Sequence, residues 1–154
     1  MSPKQLDGTV PRKGIDHIGV TCAFLCHDGS GRFLLHRRSA RCRDEQGRWD
    51  SGAGALEFGE SFEDAVRREV REEYCVEPLE VRFVDVRNVL RQADGQLSHW
   101  IALLFLARVD PEGVGIGEPE KMDEIGWFTP DRLPSPLHSQ FDDQLQMMRA
   151  AGIA

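Results

Sequence analysis

Glu69, Glu72 and Glu73 crowd into the string Arg68-Glu69-Val70-Arg71-Glu72-Glu73, a density of carboxylates that suits a hard divalent cation and the phosphate oxygens such a cation holds. The segment carrying them reads as a helix over 61–74, because Ser61 followed by Asp64 has the capping-box spacing, although Asp is shorter than the usual Glu or Gln. At about 100° per residue, Phe62, Ala65, Val66 and Val70 share the side that packs inward. Glu69 and Glu73 fall on that same side only about 40° apart, with Glu72 on its flank. Arg67, Arg71, Glu63 and Asp64 take the outward face. Carboxylates on a core-facing stripe repel one another and lose hydration, so something must compensate. Mg²⁺ is the economical candidate, with Mn²⁺ as its substitute. The competing reading is a solvated helix end where Arg67, Arg68 and Arg71 pair with the glutamates, and the helix by itself favours that reading over a metal site.

The elements that must position this helix follow from composition and patterning. The chain of 154 residues is the size of one domain, and 40% apolar with 29% charged residues places it among globular proteins. Residues 1–14 are polar with Pro and Gly and read as a loose arm before a single domain over 15–154. No apolar leader is visible, and the longest apolar stretch, 100–107, is too short to cross a bilayer, so a cytoplasmic protein without a membrane partner is expected. Cys22, Cys26, Cys42 and Cys75 form no CxxC pair and no zinc spacing, and read as reduced thiols. A net charge of −7 argues against a nucleic-acid partner. If the ligand is a polyphosphate, the same charge demands metal ions and a few placed Arg or Lys side chains.

Apolar runs at 15–26 and 33–36 flank Asp28-Gly29-Ser30-Gly31 and predict a hairpin, and runs at 81–90 and 97–109 flank Ala93-Asp94-Gly95-Gln96 and predict another. Between them, 39–48 is a charged loop with Arg41 and Arg43, and Arg37 and Arg38 stand at its base; 49–56 is short and Gly-rich. Beyond, 110–120 is a loop, 125–128 a short strand and 141–151 a closing helix. The class is α+β, an α/β/α sandwich.

Gly54, five residues, Glu60, seven residues, Arg68-Glu69-Val70, one residue, Glu72-Glu73, one residue and Cys75-Val76 resemble the Nudix box, GX5EX7REUXEEXGU with U apolar, in every fixed position except the last Gly, which is Cys75. Trp49 and Gly52 upstream, and the tail from Glu118-Pro119-Glu120-Lys121 through Trp127-Phe128 to Leu133-Pro134, are similar to MutT-like members. The resemblance implies an α/β/α sandwich with a mixed sheet over roughly 15–150. It also implies Glu69, Glu72 and Glu73 as ligands of Mg²⁺, the Gly54 carbonyl as a further ligand, and Glu60 as an outer ligand or substrate contact. Arg68 is implied as the side chain that orients the carboxylates, and Glu120, ahead of Glu118 or Glu124, as a carboxylate from the facing loop. Cys75 stands where the family's Gly closes the helix in a left-handed conformation, and a differently closed helix end is expected there.

The implied chemistry is attack of water at phosphorus, with Glu69 or Glu73 accepting the proton. Arg37, Arg38, Arg41 and Arg43 are candidates for phosphate contact, or else a solvated basic loop. Trp100, Phe83 and Trp127 are candidates for base stacking or core aromatics, and His99 is read as structural. Marks of ADP-ribose and diadenosine-polyphosphate relatives are missing around 91–94, which favours a nucleoside di- or triphosphate. A nucleotide sugar, ADP-ribose or dinucleotide is the alternative substrate, and a non-catalytic nucleotide sensor the alternative class. An isopentenyl-diphosphate isomerase is less consistent with a short chain lacking an evident Cys/Glu pair. Similar proteins commonly form homodimers.

Overall fold

The structure, a computed structural model, describes residues 8–153, so residues 1–7 of the predicted arm lie outside it. The chain runs β1 (Gly19–His27), β2 (Phe33–Arg38), β3 (Trp49–Asp50), β4 (Gly52–Ala55), α1 (Phe62–Tyr74), β5 (Glu80–Ala93), β6 (Gln96–Arg108), β7 (Met122–Phe128) and α2 (Phe141–Ala150). Of the predicted arm, Lys13 bridges His17 and the Gly14 carbonyl accepts the His99 N–H at 2.8 Å, so its last residues are tied to the sheet. No helix among the described residues is long and apolar enough to cross a membrane.

All seven strands form one mixed sheet. Its axis is the parallel pair β1–β6, in register from Gly19–Trp100 to His27–Arg108; every other strand pairing is antiparallel. The other edge of β1 is shared: Cys26 and His27 pair with β2, while Thr21 to Phe24 pair with β4. The sheet forks there. The short stretch β3–β4 crosses the fork, leaving β2 at Trp49–Asp50 and joining β1 at Gly52.

Strand alternation sends Cys22, Phe24 and Cys26 to one face, where they pack with Val66, Val70 and Tyr74 of α1. Ala23 and Leu25 go to the other face and meet Phe141, Leu145 and Met148 of α2. The predicted sandwich is therefore two apolar layers with the sheet between them.

The predicted N-terminus of α1 is closed by Ser61, whose Oγ accepts the Asp64 N–H at 3.1 Å. Ala65, Val66, Glu69, Val70, Glu73 and Tyr74 are the buried positions. Phe62, expected inward, is 47% exposed. Tyr74 is fully buried and its hydroxyl lies 2.7 Å from His36 Nδ1. Burial holds His36 down to about 4 from an ordinary 6.5.

The expectation of a differently closed helix end is corrected. Cys75 adopts the left-handed conformation itself, φ 61°, and donates its N–H to the Arg71 carbonyl at 3.0 Å, as a glycine would. The next carbonyls are satisfied from the loop after β6: Gly115 N–H donates to Tyr74 O at 2.9 Å and Gly117 N–H to Glu73 O at 2.8 Å.

Cys75→Gly should raise the unfolding free energy by about 0.5–1 kcal/mol in denaturant titration, since it removes a Cβ from a left-handed position. A loss of stability would show that the cysteine side chain contributes packing there. His36 gives a second expectation. Its folded value lies below its unfolded one, so stability is complete above pH 6.5 and is lost as pH falls toward about 4. Fully developed, that loss is on the order of 3 kcal/mol. His36→Gln should flatten that part of the stability profile between pH 7.5 and 4.5, and an unchanged slope would remove His36 as its source.

Candidate active site

The carboxylates sit where α1 crosses β4. Gly52 and Gly54 alternate onto the face of β4 that meets the helix, and each is bare where a carboxylate needs room. A Cβ on Gly54 would overlap the Glu69 carboxyl, and one on Gly52 would overlap the Phe24 ring and Glu73 Oε2. The Gly54 carbonyl accepts the Thr21 hydroxyl at 3.1 Å, which ties this floor to β1.

Glu69, Glu73 and Glu118 bring one carboxylate oxygen each within 4.8 Å of one another. Glu73 Oε2 is sealed from solvent and has no hydrogen-bond partner. Its carboxyl is pushed well above the usual range, first by burial and then by the charges of Glu69, Glu118 and Asp50. Glu69 is raised as well, mainly by burial, while Arg68 works in the opposite direction. Three carboxylates, one with an unsatisfied oxygen, are a group that could hold a hard cation.

Arg68 is the hub of the surrounding network. Its Nε and Nη2 grip both oxygens of Glu60 at 2.6 and 2.9 Å, and its Nη1 donates to Glu69 Oε1 at 2.6 Å. The bidentate contact holds Glu60 below the usual carboxylate range and fixes it as a partner of Arg68. Glu72 is more loosely attached, 3.5 Å from Arg68 Nη1, and is exposed on the flank of the cluster.

The facing loop contributes Glu118, while the first-choice residue Glu120 points its exposed side chain elsewhere. Its backbone explains the difference: the Glu120 carbonyl accepts Ser39 Oγ at 2.6 Å, and Ser39 N–H donates to Lys121 O at 2.9 Å. With 120–121 pinned to the end of β2 and Gly117 pinned to α1, Glu118 is the carboxylate turned to the cluster. Lys121 Nζ holds it at 2.8 Å. Glu124 instead pairs with Arg37 at 3.4 Å.

One cavity adjoins the cluster and a second, larger one opens from it. The smaller, about 350 Å³, is lined by Glu73, Lys121, Arg41, Arg43, Cys42 and His36 among others. The larger, about 590 Å³, lies on the α2 side of the sheet and includes Trp100, Ile15 and Val89 with Gln92, Gln96, Gln140 and Gln144. Arg38, Arg43, Asp50, Ser51 and Ala53 line both, so the chambers meet at the fork of the sheet. Arg38 is committed to Asp44 at 2.8 Å, whereas Arg37 lines neither chamber. Arg41 and Arg43 are exposed.

Lys121, Asp50 and Gln144 were not singled out from the sequence. Lys121 had a signal, its i+3 spacing from Glu118. Asp50 and Gln144 had none: Gln144 is buried, accepting Ser51 Oγ at 2.6 Å across 93 residues. Of the aromatic candidates, Trp100 lines the larger cavity, Phe83 packs edge-on with Phe105, and Trp127 lies under the Arg32 guanidinium. His99 bonds Asn88 Oδ1 at 2.9 Å.

Comparison with known proteins places this arrangement among others. A family model described as NUDIX domain matches residues 16–149. An isopentenyl-diphosphate Delta-isomerase of Mycolicibacterium vanbaalenii is 34% identical over 125 residues, 77% of this chain and 66% of that protein. An 8-oxo-dGDP phosphatase of Mus musculus is 32% identical over 126 residues, 78% of this chain and 35% of that protein. The chain thus spans 35% to 66% of the length of these two curated relatives. Among solved structures, the MutT NUDIX hydrolase from Burkholderia pseudomallei superposes with a TM-score of 0.74 at 29% identity, over 85% of this chain and 98% of that one.

The bare backbone at Gly54 yields a direct test. Gly54→Ala should displace the Glu69 carboxyl and weaken Mg²⁺ binding, read by calorimetry, by about tenfold or more with the far-ultraviolet dichroism kept. Unchanged Mg²⁺ affinity in a folded variant would mean that Glu69 does not depend on this gap.

Proposed function

The chain belongs to the NUDIX domain family, and on that premise we propose that it is a metal-dependent hydrolase cleaving a phosphoanhydride bond of a nucleoside di- or triphosphate by attack of water at phosphorus. The observation that carries this reading is Glu73, a carboxylate with one oxygen sealed and unpartnered beside Glu69 and Glu118. Without a cation such a cluster lowers its charge by taking up a proton, as the upward shift of Glu73 indicates, and a cation in the same place relieves the repulsion with the carboxylates ionised. The donor set is all oxygen, which fits Mg²⁺, with Mn²⁺ able to replace it. Glu69, Glu73 and Glu118 would hold it, with Glu72 on the open flank. When bound, the ion supplies positive charge beside the diphosphate and the attacking water.

The chain's own groups divide the remaining tasks. Arg68 orients Glu69 and anchors Glu60. Glu69 or Glu73, the two carboxylates of the cluster that α1 supplies from its buried side, accepts the proton of the attacking water. Arg41, Arg43 and Lys121 line the smaller chamber and offset the phosphate charge that an acidic chain would otherwise repel. The larger chamber receives the nucleoside: Trp100 offers a stacking surface, and the glutamines are neutral donors and acceptors suited to a base.

The isomerase relative raises a second reading, on a prenyl diphosphate. That chemistry calls for a thiol and a carboxylate facing one another across the substrate. Of the cysteines, Cys42 alone lines either chamber, and its Sγ donates to the Lys121 carbonyl at 3.2 Å. The hydrolase reading is favoured.

A panel of nucleoside di- and triphosphates, nucleotide sugars and dinucleotides with Mg²⁺, followed for phosphate and pyrophosphate, tests the assignment. Turnover of a nucleoside di- or triphosphate to the monophosphate is expected, and a well-folded sample inert toward the whole panel would refute it. Glu73→Gln should lower kcat on the order of a hundredfold or more. Without added metal the same variant should unfold at a higher temperature than the wild type, because a buried repulsive charge is gone. A lower Tm would show that the Glu73 charge is already satisfied within the chain.

A further inference from the structure

Glu45 lies in the middle of loop 39–48 in a left-handed conformation, φ 48°, which for a residue with a side chain costs on the order of 1 kcal/mol. Its carboxylate nevertheless makes more contacts than any other on that loop. Oε1 accepts the Ser139 N–H at 2.8 Å, and Oε2 accepts the Ser139 hydroxyl at 3.0 Å. Oε2 also lies 2.7 Å from His138 Nε2 and 3.4 Å from Arg91 Nη2. His138 Nδ1 accepts the Gln140 N–H at 3.1 Å, so Nε2 carries the proton and donates to Glu45. One side chain thereby joins the loop to the segment before α2 and to β5. The loop is held at its base as well, where Gly47 N–H donates to Arg38 O at 2.7 Å.

Between these two restraints stand Arg41 and Arg43, both on the Glu73 chamber, and neither guanidinium has a hydrogen bond or ion pair among the described residues. Two unpaired cations beside a carboxylate cluster on a free loop would fold down onto it. A fixed loop keeps them apart from Glu73 and available to an anion.

We propose that Glu45 is a positioning residue, a clamp that fixes loop 39–48 so that Arg41 and Arg43 meet the phosphate end of the ligand. The kinetic part of its test rests on the hydrolase reading, while the binding part does not. For the nucleotide that is turned over, Glu45→Gln raises KM about tenfold, keeps kcat within about twofold and leaves the Mg²⁺ activation midpoint in place. In a chain already carrying Arg41→Ala and Arg43→Ala, the same change adds less than about twofold. Ser139→Ala, which removes one bond to Glu45 and leaves the carboxylate, gives a smaller rise in KM of the same kind and serves if Glu45→Gln does not fold. Binding of inorganic pyrophosphate with Mg²⁺, measured by calorimetry on the whole chain, is weakened in parallel. A fall in kcat at constant KM, full additivity with the arginine changes, or unchanged pyrophosphate affinity in a folded variant overturns the clamp. Absence of nucleotide turnover with weakened pyrophosphate binding in Glu45→Gln refutes the hydrolase reading and supports the clamp.

Discussion

The packing of two carboxylates, Glu69 and Glu73, against the naked backbone of Gly52 and Gly54 is the constraint from which the rest of the site follows. Residues on the buried side of an amphipathic helix are normally apolar because each ion there loses its hydration. Here the helix keeps Ala65, Val66, Val70 and Tyr74 for its grip on the sheet and gives the two positions nearest β4 to acid. Arg68 offsets part of the charge on Glu69, yet none of its contacts reaches Glu73. The fold therefore holds a repulsion that its own groups do not cancel, which is what a cation site looks like from the protein's side.

The surroundings of that cluster answer to it. The forked sheet lets the chain pass from β2 to β1 at residues 49–52, so the glycine floor under the carboxylates, Asp50 and the mouth of the larger chamber occupy a few consecutive residues. The loop after β6 caps α1 with Gly115 and Gly117 and in the same movement delivers Glu118. A helix end and a carboxylate of the cluster thus share one set of hydrogen bonds, so a change in how α1 terminates is felt at the cluster. The remaining cations, Arg41, Arg43 and Lys121, are distributed around the smaller chamber, which is how a chain of net charge −7 can present a locally attractive surface to phosphate.

Much of this was legible from residue order. The helix limits followed from Ser61 and from the apolar period, and the hairpins from their turn residues, because these are local effects with short-range causes. The same local logic misjudged Cys75, where the helix closes in the family's manner despite the missing glycine: the cap bond to Arg71 and two tertiary bonds, from Gly115 and Gly117, outweigh a strain of about 1 kcal/mol. Choosing between Glu118 and Glu120 required knowing that Ser39 holds the backbone at 120, a contact spanning 81 residues. Arg37 and Arg38 were equal candidates by position, yet the pairing of β2 with β7 sets Arg37 opposite Glu124, while Arg38 turns to Asp44 in the loop that follows it. Long-range register decides such matters, and no local pattern encodes it.

The parallel pair β1–β6 at the centre of the sheet has a consequence for how the molecule comes into being. Gly19 and Trp100 are partners, so the middle strand acquires its long neighbour only after some eighty residues of intervening chain have been ordered. Such a topology folds more slowly than a run of hairpins of equal length, and during synthesis the acidic helix emerges well before the loop that completes its cluster. The nascent chain must then carry its glutamates in water until β6 closes the sheet, and at that stage they lose none of the hydration that the finished core takes from them.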